Sequence, residues 1–80
     1  MSAHKYTPAA LAVVQNEQIP SWLKRLSQAD TLEDLNFAMA LVACAADTYY
    51  ELGAEKLVPG FLAAASKCWR TRLFEITDEQ

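Results

Sequence analysis

The feature that most constrains the fold is the segment from Phe37 to Ala46, which reads FAMALVACAA and carries no charge, hydroxyl or side-chain amide. It has no glycine, no proline and no run of β-branched residues, so it is predicted to be helical. A helix with apolar atoms all around it must be covered on more than one side. One neighbouring helix cannot do this, so the segment predicts either a core surrounded by several helices or an apolar surface that meets another molecule.

The first part of the chain contains signals for two short helices. Thr7 followed by Pro8 combines a capping hydroxyl with a residue suited to the first helical position. The helix is predicted to run to about Glu17, and Pro20 should prevent its continuation. A second helix is predicted from Pro20 to about Ser27, with Lys24 and Arg25 directed outward.

The strongest local signal follows, with Asp30 and, three residues later, Glu33 forming a variant of the capping box. It predicts a long central helix over about 31–52, with Gly53 as its left-handed terminator. Pro59 then opens a C-terminal helix over about 59–76.

These segments and the composition predict the fold class. The chain has 80 residues, 52% of them hydrophobic and 21% charged, which is typical of a folded protein with room for one domain. No sustained period-2 alternation predicts a sheet. The prediction is an all-α, small bundle of three to four helices in a single domain, 1–80, with residues 1–6 and 77–80 mobile.

The predicted central helix has two different faces when its residues are placed 100° apart. Its core face is predicted to comprise Leu35, Ala38, Met39, Val42, Ala46 and Tyr49. The opposite face carries carboxylates and, among them, the ring of Phe37. Because an exposed apolar patch with a polar rim usually marks a contact surface, this face is predicted to bind another molecule. The alternative is that the other helices cover Phe37 within the monomer.

The predicted C-terminal helix is also two-faced. Its core stripe is predicted to comprise Phe61, Leu62, Ala65, Trp69, Leu73 and Ile76, with Val42 and Trp69 among the most buried side chains. Its far side is basic and aromatic, so it complements the acidic central helix and could meet it across a symmetric dimer. An ordinary solvated strip is the alternative. The candidate partner-binding residues on the two helices are Glu33, Phe37, Leu41, Cys44, Asp47, Tyr50, Glu51, Lys67, Arg70 and Phe74.

The charge and the cysteines narrow the environment and the partners. The net charge is −3 and the isoelectric point about 4.9, which gives no attraction toward phosphate backbones or anionic membranes. The apolar run is about half of what a membrane span needs. Cys44 and Cys68 are widely spaced and no cleavable signal sequence precedes them, which predicts a reduced thiol pair in a cytoplasmic protein rather than a disulfide.

Few side chains are suited to catalysis. The only histidine, His4, lies in a segment predicted to be mobile, where it cannot be held in a catalytic constellation. Asp47 and Glu51 are one helical turn apart, but no second carboxylate pair and no Glu-x-x-His completes a metal site. No Cys-x-x-Cys, glycine-rich phosphate loop or Gly-x-Ser-x-Gly is present. The prediction is a non-enzymatic protein without metal or cofactor.

A helix-turn-helix DNA-binding regulator is an alternative, because a short helix, a turn at 28–29 and a helix from Thr31 follow one another. The first residues of the candidate recognition helix include Glu33 and Asp34, which would repel phosphates. Lys24 and Arg25 are the only cations nearby in the sequence, so direct nucleic-acid binding is disfavoured.

The predicted function is therefore to bind another protein and occupy its surface. No motif identifies a family. As a compact acidic single domain without an active-site motif, the chain resembles the inhibitors that phages and mobile elements direct against host complexes, including anti-CRISPR proteins. That resemblance implies a carboxylate-lined face that fills a basic groove or blocks a protein interface without chemistry. A self-associating structural or regulatory subunit of a bacterial complex is the alternative.

Overall fold

The computed structural model describes residues 5–78, which form three helices packed as a bundle, with no strand among them. The helices are α1 (Pro8–Val13, a π-helical turn at Val14–Gln18, and Ile19–Ser27), α2 (Leu32–Glu51) and α3 (a 3-10 turn at Glu55–Leu57, and Val58–Asp78). The predicted all-α bundle, with its long central and C-terminal helices, is confirmed.

The first helix does not break at Pro20, so the predicted division into two helices is wrong. Thr7 caps its start by accepting a hydrogen bond of 3.1 Å from the backbone N–H of Ala10. Proline lacks an N–H, and its ring clashes with the carbonyl four residues earlier in a regular α-helix. Here the backbone N–H of Ile19 bonds to the carbonyl of Val14, five residues earlier. This wider π turn lets one helix continue past Pro20.

The ends of α2 are fixed by specific caps. Thr31, rather than the predicted Asp30, is the N-cap, because its hydroxyl accepts a hydrogen bond of 3.0 Å from the backbone N–H of Asp34. At the other end Gly53 has φ +98°, as predicted for a left-handed terminator. The N–H of Ala54 then reaches back to the carbonyl of Tyr49 at 2.8 Å, which is the long hydrogen bond of a Schellman motif.

The core lies between the three helices. Its largest fully buried side chains are Phe61, Leu26, Leu35, Val14 and Val42. The ring of Tyr49 contacts Phe61 with centroids 5.8 Å apart and Tyr6 at 6.3 Å. The predicted core face of α2 is confirmed, with Met39 half-buried at its edge. Arg72 also joins α3 to the α1–α2 turn, because its Nε donates to the carbonyl of Ala29 at 2.6 Å.

Two predictions about α3 are wrong, namely that Leu62 belongs to its core stripe and that Trp69 is among the most buried side chains. Leu62 exposes 39% of its surface, and Trp69 is only half-buried. Leu62 follows Phe61, and one residue along a helix turns the side chain by about 100°, so Leu62 lies on the flank of α3 that faces α2. Trp69 is one turn beyond Ala65 and packs against the edge of the core. The indole Nε1 of Trp69 donates to Asn36 Oδ1 at 3.3 Å near the protein surface.

The bundle is thin, with principal extents of 50 × 23 × 16 Å. Helices α2 and α3 are antiparallel neighbours, because Asn36 near the start of α2 lies beside Trp69, whereas Tyr50 near its end lies beside Leu62. With so few layers, each helix retains a side that no other helix covers. The outer side of α2 is therefore available for contact.

Candidate protein-binding site

The outer side of α2 presents an aromatic ring among carboxylates, as the sequence predicted. Phe37 exposes 59% of its surface, so the alternative in which other helices cover it is contradicted. Neighbouring turns of the same side carry exposed Glu33, Cys44 and Glu51, and Leu41 is half-buried beside them. We call this set the Phe37 surface: Glu33, Phe37, Leu41, Cys44 and Glu51.

A second detail makes this surface less polar than its sequence indicates. The hydroxyl of Thr48, one turn beyond Cys44, donates to the carbonyl of Cys44 at 3.1 Å. A hydroxyl bonded back to its own helix is turned away from a partner. The strip from Phe37 to Thr48 therefore has few polar atoms directed outward until it reaches the carboxylate of Glu51.

A depression of about 370 Å³ opens beside Phe37 and is lined by Thr31, Glu33, Asp34 and Phe37. It combines an aromatic ring with carboxylates at the first turn of α2. A lysine or arginine side chain suits such a place, because the ring face attracts a cation and the carboxylate accepts its hydrogen bonds. The chemistry of the depression therefore favours a basic group on the partner.

The two carboxylates of the depression differ in their charge environment. Asp34 accepts hydrogen bonds from both terminal nitrogens of Arg25, at 2.7 and 3.1 Å. These bonds hold the pKa of the Asp34 carboxyl below its ordinary value and raise the pKa of Arg25. Within residues 5–78, the other side-chain ion pairs join Arg72 to Asp30 and to Glu75. Glu33 is in none of these pairs, so its carboxylate is available to a partner.

The remaining candidates do not form one surface with Phe37. Asp47 and Tyr50 face α3 and line a groove of about 270 Å³ together with Ala43, Val58 and Leu62. Tyr50 exposes 63% of its surface there. Tyr50 lies 13 residues beyond Phe37, which places it about 140° away around the helix axis at 100° per residue. The structure thus separates the α2 candidates into the Phe37 surface and the groove that Asp47 and Tyr50 line.

The candidates on α3 are also divided. Lys67 lines a depression of about 160 Å³ between α1 and α3 with Ser27 and Cys68. Phe74 exposes 71% of its surface on the outer side of α3, and Arg70 is exposed one turn before it. None of the three is among the residues that line the depression beside Phe37. The ten predicted residues therefore lie on at least three sides of the bundle.

The part of the chain that the structure describes has no metal-binding cluster and no disulfide. Among residues 5–78, no three His, Cys, Asp or Glu side chains lie close enough together to hold a metal ion. Cys44 is exposed and Cys68 half-buried, and both are free thiols. No helix in the described segment is long and apolar enough to cross a membrane. His4 lies outside the described residues.

Comparison with known proteins adds no further guide. No family model, curated protein or solved structure matches this chain. The surfaces of the chain itself are therefore the guide to its function.

The exposed side chain of Leu62 was missed as a surface candidate, and Trp69, which is half-buried, was predicted to be more buried than it is. The sequence placed both in the core stripe of the C-terminal helix. For Leu62 the available signal was its angle on that helix, because it is about 100° from Phe61, whereas Phe61, Ala65 and Ile76 are the buried residues of α3. Trp69 lies close to Ala65 and Ile76 in angle, so the helical spacing gave no such signal for it.

Proposed function

We propose that this protein binds another protein through the Phe37 surface and acts by occupying the partner's surface, without catalysing a reaction. The observation that carries the proposal is the exposed ring of Phe37 on a helix whose core side is fully packed. An aromatic residue at the centre of a charged rim is the usual arrangement of a binding hot spot.

The fold gains nothing from leaving this ring in water. Fully burying a phenylalanine side chain stabilises it by about 1.5–3 kcal/mol relative to exposure. More than half of the surface of Phe37 is still exposed, so a partner that covers the ring can gain a large part of that free energy. Covering Leu41 and the methyl group of Thr48 adds apolar area on the same strip.

The partner is expected to present a basic surface. Glu33 and Glu51, one at each end of the Phe37 surface, are exposed and belong to none of the ion pairs in residues 5–78. Complementary charges at a rim speed association and select partners more than they add affinity. A protein whose basic groove normally holds nucleic acid satisfies this requirement, which corresponds to the phage type of inhibitor and to a cytoplasmic location.

Direct binding to DNA through the start of α2 has less support. The cations that contact this end of the helix are already held in ion pairs, Arg25 by Asp34 through two hydrogen bonds and Arg72 by Asp30 and Glu75. Glu33 stands exposed in the first turn, where a recognition helix would approach phosphates. We therefore favour a protein partner over a duplex.

The test is site-specific crosslinking in cells that express the protein. A photoreactive phenylalanine analogue replaces Phe37 in one sample and Phe74 in a matched control, because both rings are exposed and the substitution is nearly isosteric. The expected result is a crosslinked adduct with one other protein from position 37 and none with that protein from position 74. Absence of an adduct at position 37, or the same adducts from both positions, would contradict the proposal.

A further inference from the structure

A second unpartnered surface lies where α2 and α3 run side by side. Five residues on α2 share this side, spaced alternately four and three positions apart, and all are exposed: Asn36, Ala40, Ala43, Asp47 and Tyr50. The adjoining flank of α3 carries Leu62, Ser66, Trp69 and Leu73, and exposed Arg70 lies at the outer edge of this flank, one turn before Phe74. We call these ten residues the α2–α3 face. It is distinct from the Phe37 surface, which lies on the outer side of α2.

The α2–α3 face has opposite charges at its two ends. Asp47 lies at the Leu62 end, in the same groove as Tyr50. Arg70 follows Trp69, whose indole is bonded to Asn36 at the other end. Asn36 and Asp47 are 11 residues apart, or about 16 Å along α2, so Asp47 and Arg70 are too distant to pair within one chain. Neither takes part in the ion pairs found in residues 5–78.

The middle of the face is built from small side chains. Ala40 and Ala43 on α2 and Ser66 on α3 lie between the two charged ends. Small residues at the centre of a helix contact allow the helix axes to approach at the short end of the usual 8–10 Å range. The apolar groups are larger toward the ends, with Tyr50 and Leu62 at one end and Trp69 and Leu73 at the other.

We propose that a second copy of this chain docks on the α2–α3 face about a two-fold axis that passes through its small-residue centre. The rotation brings Asp47 of each copy to Arg70 of the other. The same Asp47–Arg70 ion pair therefore forms twice, once on each side of the axis. It also brings Tyr50, one turn beyond Asp47, to Leu73, which lies one turn beyond Arg70. Ala40, Ala43 and Ser66 of both copies meet at the axis.

The second copy is the occupant that this face fits best, because the complementary charge to each end is present on the face itself. A heterologous partner would need to reproduce that arrangement of one acid and one base at the required separation. A stable dimer of standard size covers about 800 Å² of each subunit. The chain exposes 5521 Å², so such a contact uses a minor part of its surface. The α2–α3 face and the Phe37 surface have no residue in common.

The proposal is tested by charge exchange, with molar mass measured by sedimentation equilibrium. Asp47→Lys alone places Lys opposite Arg70, and Arg70→Glu alone places Glu opposite Asp47. Each variant should dissociate at least about tenfold more readily than the wild-type dimer. An equimolar mixture of the two variants should recover a dimer of mixed composition, because each contact in it again joins unlike charges. Circular dichroism confirms that each variant is helical.

Three results would overturn this inference. They are a monomeric wild type, single variants that associate as the wild type does, and a mixture that stays monomeric. Phe37→Ala is the matched control and should leave the dimer unchanged. If Phe37→Ala dissociates the dimer while Asp47→Lys does not, then the self-contact is on the Phe37 surface and not on the α2–α3 face. The protein-binding function is tested separately by the crosslink at position 37.

Discussion

The indole Nε1 of Trp22 donates a hydrogen bond of 3.1 Å to the phenol oxygen of Tyr49, and so joins α1 to α2 at the edge of the core. The Tyr49 hydroxyl in turn donates to Gln18 Oε1 at 2.8 Å. Gln18 belongs to the π turn, so the Tyr49 hydroxyl holds the part of α1 that departs from regular helix geometry.

Removing the Tyr49 hydroxyl should weaken this joint. Tyr49→Phe deletes both hydrogen bonds but keeps the ring against Phe61 and Tyr6. A typical hydrogen bond contributes about 1 kcal/mol net, and Gln18 can turn to water, so a loss of about 1–2 kcal/mol in the free energy of unfolding is expected. Urea denaturation measures it. Tyr50→Phe is the control, since Tyr50 is 63% exposed, and should change stability by less than about 0.5 kcal/mol.

The same phenol predicts a stability loss at alkaline pH. Burial raises the pKa of Tyr49 above its ordinary value of 10.0. The folded state therefore holds the proton more tightly than the unfolded chain does, and the associated stability is complete below pH 10.0. It is lost as the pH rises through the folded-state pKa. In this pH range the melting temperature should decrease less steeply with pH for Tyr49→Phe than for the wild type. Parallel pH dependence in the two proteins would show that the Tyr49 hydroxyl has no such role.

The cap of α2 provides a test of the difference between the predicted and the observed helix start. Thr31→Ala removes the oxygen that accepts the Asp34 N–H and should cost about 1 kcal/mol. Asp30→Ala should have a much smaller effect, because the Asp30 side chain is 94% exposed and lies 3.9 Å from Arg72. Thermal denaturation compares the two variants. A larger loss in Asp30→Ala would indicate that the capping role belongs to Asp30.

The two glycines should respond in opposite directions to the same substitution. Gly53→Ala forces a side chain into φ +98° and should destabilise by about 1 kcal/mol or more. A Cβ at this position would lie 3.5 Å from Lys5 Cδ, an ordinary contact, so the cost is backbone strain rather than a clash. Gly60 lies within α3 with open space around it, and Gly60→Ala should stabilise by about 0.4–1 kcal/mol. The measurement is the denaturant midpoint, which should be lower than that of the wild type for Gly53→Ala and higher for Gly60→Ala.

The sequence predicted the helices well where the signals are local. The end of α2 at Gly53 and its core face follow from a positive-φ requirement and from 3.6-residue spacing, which a single helix carries by itself. The continuation of α1 past Pro20 does not follow from local signals, because the π turn is supported by the Gln18–Tyr49 hydrogen bond between distant parts of the chain. Such a contact cannot be inferred from the neighbours of a proline.

The candidate site shows the same division. The exposure of Phe37 follows from its angle opposite the core face of α2, so it was predictable. Phe37 and Tyr50 are about 140° apart on a helical wheel of α2. The groove that Tyr50 lines with Val58 and Leu62 depends on where the neighbouring helix packs, and a wheel of α2 alone does not show this. The burial of Leu62 and Trp69 was overestimated for the same reason, since it depends on how closely the two helices meet along their flanks.

The most direct test of the protein-binding function is the affinity of Phe37→Ala for the partner identified by crosslinking, measured by isothermal titration calorimetry alongside urea denaturation. Truncating a hot-spot ring costs about 2 kcal/mol or more, so the dissociation constant should rise about 30-fold or more, while the free energy of unfolding changes by less than about 0.5 kcal/mol. Phe74→Ala should bind as the wild type does. Unchanged affinity in Phe37→Ala, or a loss of binding that only accompanies unfolding, would contradict the account.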